Sequence, residues 1–228
     1  MSKIMKKRFL QMMLATVLCV FLFSAGAMAD GFAKTVYYAK KVVIPKQKSG
    51  ISDHVYHEIN FGEKYPGYQC DSCVSSNPNV IETQPGWYGW FLTKKTGTAT
   101  LSYVLKNGDK TKKVKVKVKV VPYDNPVKSL KIDGIKVKVN KGWNTASASH
   151  AEGTAKATLK LKKNWKVVSV VRTVAEYDPV TYKTVYTVKK YKLKKLAVDD
   201  YVVTYRIKLK NKKTKATDVV ELDLRKQY

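Results

Sequence analysis

Arginine is almost missing from this chain. Of 228 residues, 44 are Lys or Arg and only 17 are Asp or Glu, giving a net charge of +27. Beyond Arg8, however, the arginines are Arg172, Arg206 and Arg225 alone. The planar guanidinium fork is the group that grips phosphates and base edges bidentately, so its scarcity speaks against specific nucleic-acid reading in spite of the charge. Histidine is equally sparse, at His54, His57 and His150. No nucleophile motif, phosphate loop or paired carboxylates accompany these residues, so the ordinary routes to catalysis near neutral pH lack their groups. The expectation is a protein that is not an enzyme and needs no cofactor. Cysteine occurs only at positions 19, 70 and 73, too few for a disulfide scaffold. After residue 29 there is neither a helical stripe at i, i+3, i+4, i+7 nor a second long apolar run. Helices and membrane insertion of the mature chain are therefore not expected.

What is present begins with an export signal. Lys3, Lys6, Lys7 and Arg8 precede an apolar run from Met12 to Phe23, and Ala27-Met28-Ala29 offers the small-x-small pattern of a cleavage site before Asp30. The run is well short of the roughly 20 residues that a spanning helix needs. Thr16, Val17 and Leu18 place no small residue directly before Cys19, which argues against lipid attachment there, and the C-terminal residues 222–228 contain no apolar or sorting tail. Removing the signal's four cations leaves a mature charge of +23, of which residues 126–228 carry +16 and residues 30–125 carry +7. A polyanion would feel that field.

Alternation is the dominant pattern. In residues 113–120, Lys and Val take turns, and a period of two sends the valines to one face of a strand and the lysines to the other. Further strands are expected at Leu130–Ile132, Ile135–Val139, Ala155–Leu161, Val167–Ala175, Tyr182–Val188, Tyr201–Leu209 and Thr217–Leu224, with turns at Asn107-Gly108-Asp109, Asp133-Gly134, Tyr177-Asp178-Pro179 and Asn211-Lys212-Lys213. The fold class is all-β: two tandem immunoglobulin-like β-sandwiches after a signal peptide. Pro122 and Pro126 interrupt strands that would otherwise run on, because proline lacks the ladder donor. The expected division is signal 1–29, first domain 30–122, linker 123–126 and a strongly basic second domain 127–228, stacked end to end.

Within the first domain, Ser75-Ser76-Asn77-Pro78-Asn79-Val80-Ile81, Gly89-Trp90-Phe91-Leu92-Thr93, Gly97-Thr98-Ala99-Thr100-Leu101 and the Val114–Val120 strand follow one another in a familiar order. Residues 36–121, and most closely Ser75 to Val120, resemble the bacterial immunoglobulin-like domain of group 2, the intimin- and invasin-type repeat. The resemblance implies a β-sandwich displayed outside the cell. Residues Tyr37 to Phe61 depart from the family's pattern, and Cys73 stands where the family commonly has a core tryptophan. The second domain opens on Val127-Lys128-Ser129-Leu130-Lys131-Ile132, similar to the first strand of another such module, and is otherwise a divergent immunoglobulin-like sandwich.

Three groups of residues are candidate sites. His54 and His57 followed by Cys70 and Cys73 give H-x2-H and C-x2-C, a spacing that fits a metal. The same two cysteines could instead form a local disulfide or remain packed thiols. In a regular strand residues 70 and 73 face opposite ways, so bridge or metal requires an irregularity around Tyr68–Ser72. Trp87, Tyr88 and Trp90 form a dense aromatic cluster after a Pro-Gly turn, where exposed rings can hold a sugar or a peptide. Lys113, Lys115, Lys117 and Lys119 form the clearest cationic row, with further lysines at 160, 162, 192, 194 and 195. Such rows keep sheets soluble, and they also attract anionic surfaces. Together these features lead to a secreted, extracellular or cell-wall-associated binding or adhesion protein drawn to a polyanionic surface or acidic glycan. The competing expectation is a structural spacer or subunit that meets a protein partner through the aromatic patch.

Overall fold

The computed structural model describes residues 33–47, 55–62, 64–84, 89–140, 142–178 and 183–227. The expected signal peptide, Cys19, the turn at Pro179 and several candidate site residues lie outside them. Among the described residues there is no helix, and the chain is all-β.

Two sheets form a sandwich from the first half. β1 (Ala33–Tyr37), β3 (Tyr56–Asn60), β6 (Phe91–Thr93) and β5 (Ile81–Thr83) make one, in that spatial order; β2 (Lys41–Pro45), β8 (Lys110–Val121), β7 (Gly97–Asn107) and β4 (Gln69–Ser75) make the other. The chain changes sheet between β1 and β2, so that β1 pairs parallel with β3 and β2 pairs parallel with β8. The Lys–Val alternation dictates the packing of β8: Val114, Val116, Val118 and Val120 are buried and face Leu101, Tyr103, Ile81 and Phe91 in one core. Asn107 and Lys110 close the β7–β8 hairpin around Gly108-Asp109, with Gly108 at positive φ.

The second half repeats the plan with a larger sheet. β11 (Thr145–His150), β18 (Thr217–Lys226), β17 (Val202–Asn211), β14 (Trp165–Asp178) and β15 (Lys183–Tyr191) form five strands. β10 (Ile135–Val137), β9 (Val127–Ile132) and β13 (Ala157–Leu161) form a three-stranded sheet, with the short pair β12 (Gly153–Ala155) and β16 (Leu196–Val198) beside them. Here too an early strand, β11, runs parallel to the last one, β18. The expected Ala155–Leu161 strand is broken at Lys156, and β11 and β16, rich in Ala and Ser or only three residues long, carry too little alternation to be seen in advance. Asp133 and Gly134 both have positive φ and join β9 directly to β10, the two-residue geometry that matches strand twist.

Buried apolar side chains fall into two clusters, one from Val36 to Val120 and one from Val121 to Leu224. The segment between them is held in place: the Asp124 carboxylate accepts from Trp165 Nε1 (2.5 Å) and Asn211 Nδ2 (3.2 Å), and Asn125 Oδ1 accepts from the Val127 amide (2.9 Å).

The two sandwiches are not stacked simply end to end. β1 and β2 lie against β18, with Lys34 Nζ 2.8 Å from Asp218 Oδ1, both side chains being almost wholly buried. Thr217 Oγ1 donates to the Val43 carbonyl (3.3 Å), and Lys208 Nζ sits 3.2 Å from the centre of the Tyr37 ring. A short linker does not force an end-to-end arrangement, because an ion pair and a cation–π contact hold the sandwiches along their sides.

Candidate functional site

The lysine row is the most regular feature of the surface. Lys113, Lys115, Lys117 and Lys119 are all exposed on the outward face of β8, alternating with its buried valines. Alternate residues of a strand lie about 6.7 Å apart, so the four ammonium groups span roughly 20 Å. Across the sheet they are paired in register with Val104, Ser102, Thr100 and Thr98 of β7, and Lys117 and Lys119 with Lys41 and Val43 of β2. Three of the four cations thus stand beside a small hydroxyl, and Lys113 stands beside Val104. Among the described residues none of these four lysines forms an ion pair, whereas Lys94 pairs with Glu82 and Lys106 with Asp71 elsewhere on the same sandwich.

The aromatic candidates are distributed differently from the sequence expectation. Trp87 and Tyr88 lie outside the described residues. Trp90 is buried and packs on Tyr56 with ring centroids 5.7 Å apart, so it presents no open ring face for a ligand. The aromatic surface is made instead by Tyr38, Tyr65 and Tyr68, half-buried around Phe61. Tyr38 and Tyr65 are 5.5 Å apart, Tyr65 and Tyr68 are 6.4 Å apart, and Lys112 Nζ lies 5.0 Å from the Tyr65 ring centre. Sequence reasoning missed this group because its members come from two separate segments, the end of β1 and the loop before β4; the only advance signal was the richness in tyrosine, 15 residues in all.

Cys70 and Cys73 are brought onto one face by a β-bulge. The pairing of β4 with β7 slips between Cys70 and Ser72, leaving Asp71 as the extra residue. Cys70 then stands opposite Leu105, Cys73 opposite Tyr103, and both turn toward the core. Both are free thiols. Burial, with the nearness of Cys73 second, pushes the Cys70 thiol up to about 12, and burial pushes Cys73 up to about 11. Such groups are poor nucleophiles and poor metal ligands, since the thiolate is the reactive form. Gly89, at φ 73°, closes over the pair: a Cβ there would lie 2.5 Å from Cys70 Sγ and 2.8 Å from Tyr103 Cε1.

The described part of the expected metal-ligand set does not come together. His54 lies outside the described residues, and no three His, Cys, Asp or Glu side chains among those described converge on a common point. His57 is buried, with its ring stacked on Phe91 (centroids 5.5 Å, 21°), while both thiols face Tyr103. Burial first, and the charge of Lys34 second, hold the imidazole down to about 3, so it stays neutral at ordinary pH. Its Nδ1 has no hydrogen-bond partner among the described residues. The other described histidine, His150, has Nε2 2.8 Å from Asp133 Oδ2 and Nδ1 against the Ala151 carbonyl.

No family model matches the chain. A search of curated proteins likewise finds no match. Among solved structures the chain is similar to the cadherin-like domains 1 to 4 of zebrafish RET, with 10% identity, a TM-score of 0.23, and 80% of this chain and 46% of that one covered. It is also similar to human protocadherin-24 EC1-2, at 9% identity and a TM-score of 0.25 over 82% and 94% of the two chains. A third similarity is to an endo-fucoidan hydrolase of glycoside hydrolase family 107, at 7% identity and a TM-score of 0.22 over 85% and 29%. The chain thus spans less than half of the zebrafish protein and less than a third of the hydrolase. At these scores none of the likenesses carries an argument, and the fold stands on the strand order, registers and cores described above.

Proposed function

We propose that this chain is an exported, non-enzymatic binding protein that adheres to an anionic polymer, a cell-wall polymer or acidic glycan, through the outward face of β8. The observation that carries this reading is the row Lys113, Lys115, Lys117 and Lys119, exposed in line and without an acidic partner among the described residues. A repeating polyanion laid along the strand would meet an ammonium group about every 6.7 Å, with the hydroxyls of Thr98, Thr100 and Ser102 beside it. Lysine suits this task because it acts as a point charge, without the fixed geometry that arginine imposes. The half-exposed Tyr38, Tyr65 and Tyr68 add ring faces at one end of the same sandwich.

The export signal in residues 1–29 and the resemblance of Ser75–Val120 to the group 2 immunoglobulin-like repeat support an extracellular or wall-associated setting. The two hydrophobic clusters support domain units near 30–122 and 127–228. The test is retention of the mature protein on purified cell walls and on a heparin-type resin. Replacing the four lysines by glutamine should weaken binding about 1,000-fold, taking about 1 kcal/mol per lysine near an anionic surface. Binding that survives in the variant, or that is insensitive to salt between low ionic strength and about 1 M, where the Debye length falls to about 3 Å, would overturn the reading.

A further inference from the structure

The outward face of the β8 sheet carries a repeat finer than its charge. Lys119 is in register with Thr98 of β7, Lys117 with Thr100 and Lys115 with Ser102. Side chains directly opposite one another on antiparallel strands have Cβ atoms about 5 Å apart. Three successive ammonium groups are therefore each accompanied by one hydroxyl, and the unit of one cation and one hydroxyl recurs about every 6.7 Å along the strand. Aromatic rings take no part in this face. The only aromatic side chain in β2, β4, β7 and β8 is Tyr103, and it is buried. Lys112, which lies over Tyr65, is paired with the buried Leu105 and so belongs to the inner side of the strand, away from the row.

Anionic polymers differ in how far apart they carry their charges. In a chain of phosphodiesters joined by three-carbon units, six single bonds separate one phosphorus from the next. An extended backbone covers about 3.3–3.6 Å for every three bonds, so its phosphates stand about 7 Å apart, the period of the lysines. Each phosphodiester also presents one negative charge on two non-bridging oxygens. One oxygen can accept from an ammonium group and the other from the hydroxyl beside it. A single-stranded nucleic acid has the same six-bond backbone, but its bases are held by stacking on aromatic side chains, which this face lacks. The apolar faces of sugar rings in a uronate polymer ask for the same kind of platform.

We propose that the polymer bound along β8 is a linear phosphodiester chain with a three-carbon spacer, in which successive phosphates meet Lys113, Lys115, Lys117 and Lys119, with Ser102, Thr100 and Thr98 donating to the second oxygen at the last three. This rests on the reading of the β8 row as the contact surface and adds the chemistry of what is bound there. Ring-free spacers suit a floor of small side chains, because nothing bulky has to be accommodated between one phosphate and the next. A chain with longer spacers does not match: nine bonds put its phosphates about 10 Å apart, so that two reach the ends of the roughly 20 Å row while the one between them falls midway between Lys115 and Lys117.

Synthetic oligomers separate spacing from charge. Four probes of equal charge number are titrated calorimetrically into the mature protein at low salt: phosphodiesters joined by glycerol units, phosphodiesters joined by hexane-1,6-diyl units, a thymidine oligonucleotide and an oligogalacturonate. The glycerol-linked oligomer should bind at least tenfold more tightly than the hexanediyl-linked one, and at least as tightly as the oligonucleotide and the uronate. Replacing Thr98 and Thr100 together by valine, which keeps the β-branched shape and all four lysines, should reduce that preference for the glycerol-linked probe. Equal binding of the two spacer lengths by a protein that loses both on replacement of the four lysines by glutamine would overturn the phosphodiester assignment and leave the adhesion reading standing. Tighter binding of the uronate or the oligonucleotide would overturn it in the same way. Binding of none of the four would overturn both. The comparison of spacers uses the wild-type protein, so a misfolded variant cannot mask its outcome.

Discussion

Replacing His57 by phenylalanine should make the protein more resistant to acid. The imidazole is buried and held near 3, against 6.5 for the free group, by burial and by the charge of Lys34. In the unfolded chain it takes up a proton as the pH falls below about 6.5, whereas in the folded chain it stays neutral until about pH 3. Between these values the unfolded state binds more protons, so the stability present above pH 6.5 is lost progressively on acidification. The loss amounts to about 1.4 kcal/mol per pH unit, with a ceiling near 5 kcal/mol once the pH has fallen to about 3.

Phenylalanine keeps a flat ring against Phe91 and removes both the titration and an Nδ1 that has no partner among the described residues. At about pH 7.5 the variant should match or slightly exceed the wild type, since removing an unsatisfied buried polar atom is neutral or stabilising. At about pH 4.5 it should be ahead by a further 2–3 kcal/mol or so. Urea unfolding followed by tryptophan fluorescence at the two pH values measures this. Lys34, Asp218 and the other titrating groups are common to both proteins and cancel in the difference. Equal pH slopes for the two proteins would refute the reasoning, because they would mean that His57 protonates in the folded state as readily as in the unfolded one.

Other perturbations read other parts of the structure. Lys34→Met leaves Asp218 buried without its cation and should cost about 3 kcal/mol; a melting temperature and a scattering profile both unchanged from the wild type would show that the ion pair does not hold the sandwiches together. Gly89→Ala forces a side chain into positive φ and against Cys70 Sγ and Tyr103. It should destabilise by about 2–4 kcal/mol in denaturant unfolding, and a change below about 0.5 kcal/mol would contradict the close approach. In the reduced protein, Cys70 and Cys73 should be alkylated at about pH 8 at least ~100-fold more slowly than a free cysteine, given thiols raised to about 12 and about 11. Rates near that of the free amino acid would mean that the bulge does not turn them inward.

The parts of the fold that showed in the sequence are those where local pattern and tertiary role coincide. The Lys–Val repeat of β8 requires one wet and one dry face whatever it packs against, and Asp133-Gly134 requires a tight hairpin because both residues accept positive φ. What stayed hidden depends on partners distant in sequence. Trp90 looked available as part of an aromatic cluster, but its neighbour in space is Tyr56 on another strand, and burial between them removes its open face. The parity of Cys70 and Cys73 could not be settled from a spacing of three, because one extra residue, Asp71, inserted by the pairing with β7 reverses it. The tyrosine surface is assembled from the end of one strand and a separate loop, and no periodicity marks such convergence.

The distribution of charge ties these features together. A strand whose lysines face solvent gains little stability from them, and like charges 6–7 Å apart on one face repel by roughly half a kcal/mol per pair in water. The four outward lysines of β8 have no carboxylate partner among the described residues, whereas Asp71 stands at Lys106, Glu82 at Lys94, Asp199 at Arg172, Glu221 at Arg206 and Glu152 at Lys226. Solubility alone does not require such a row, because a net charge far smaller than +27 already keeps a domain of this size dispersed. On the proposed reading, the repulsion within the β8 row is relieved when an anion binds along it, so added polyanion should raise the protein's melting temperature, and an unchanged melting temperature would count against that reading.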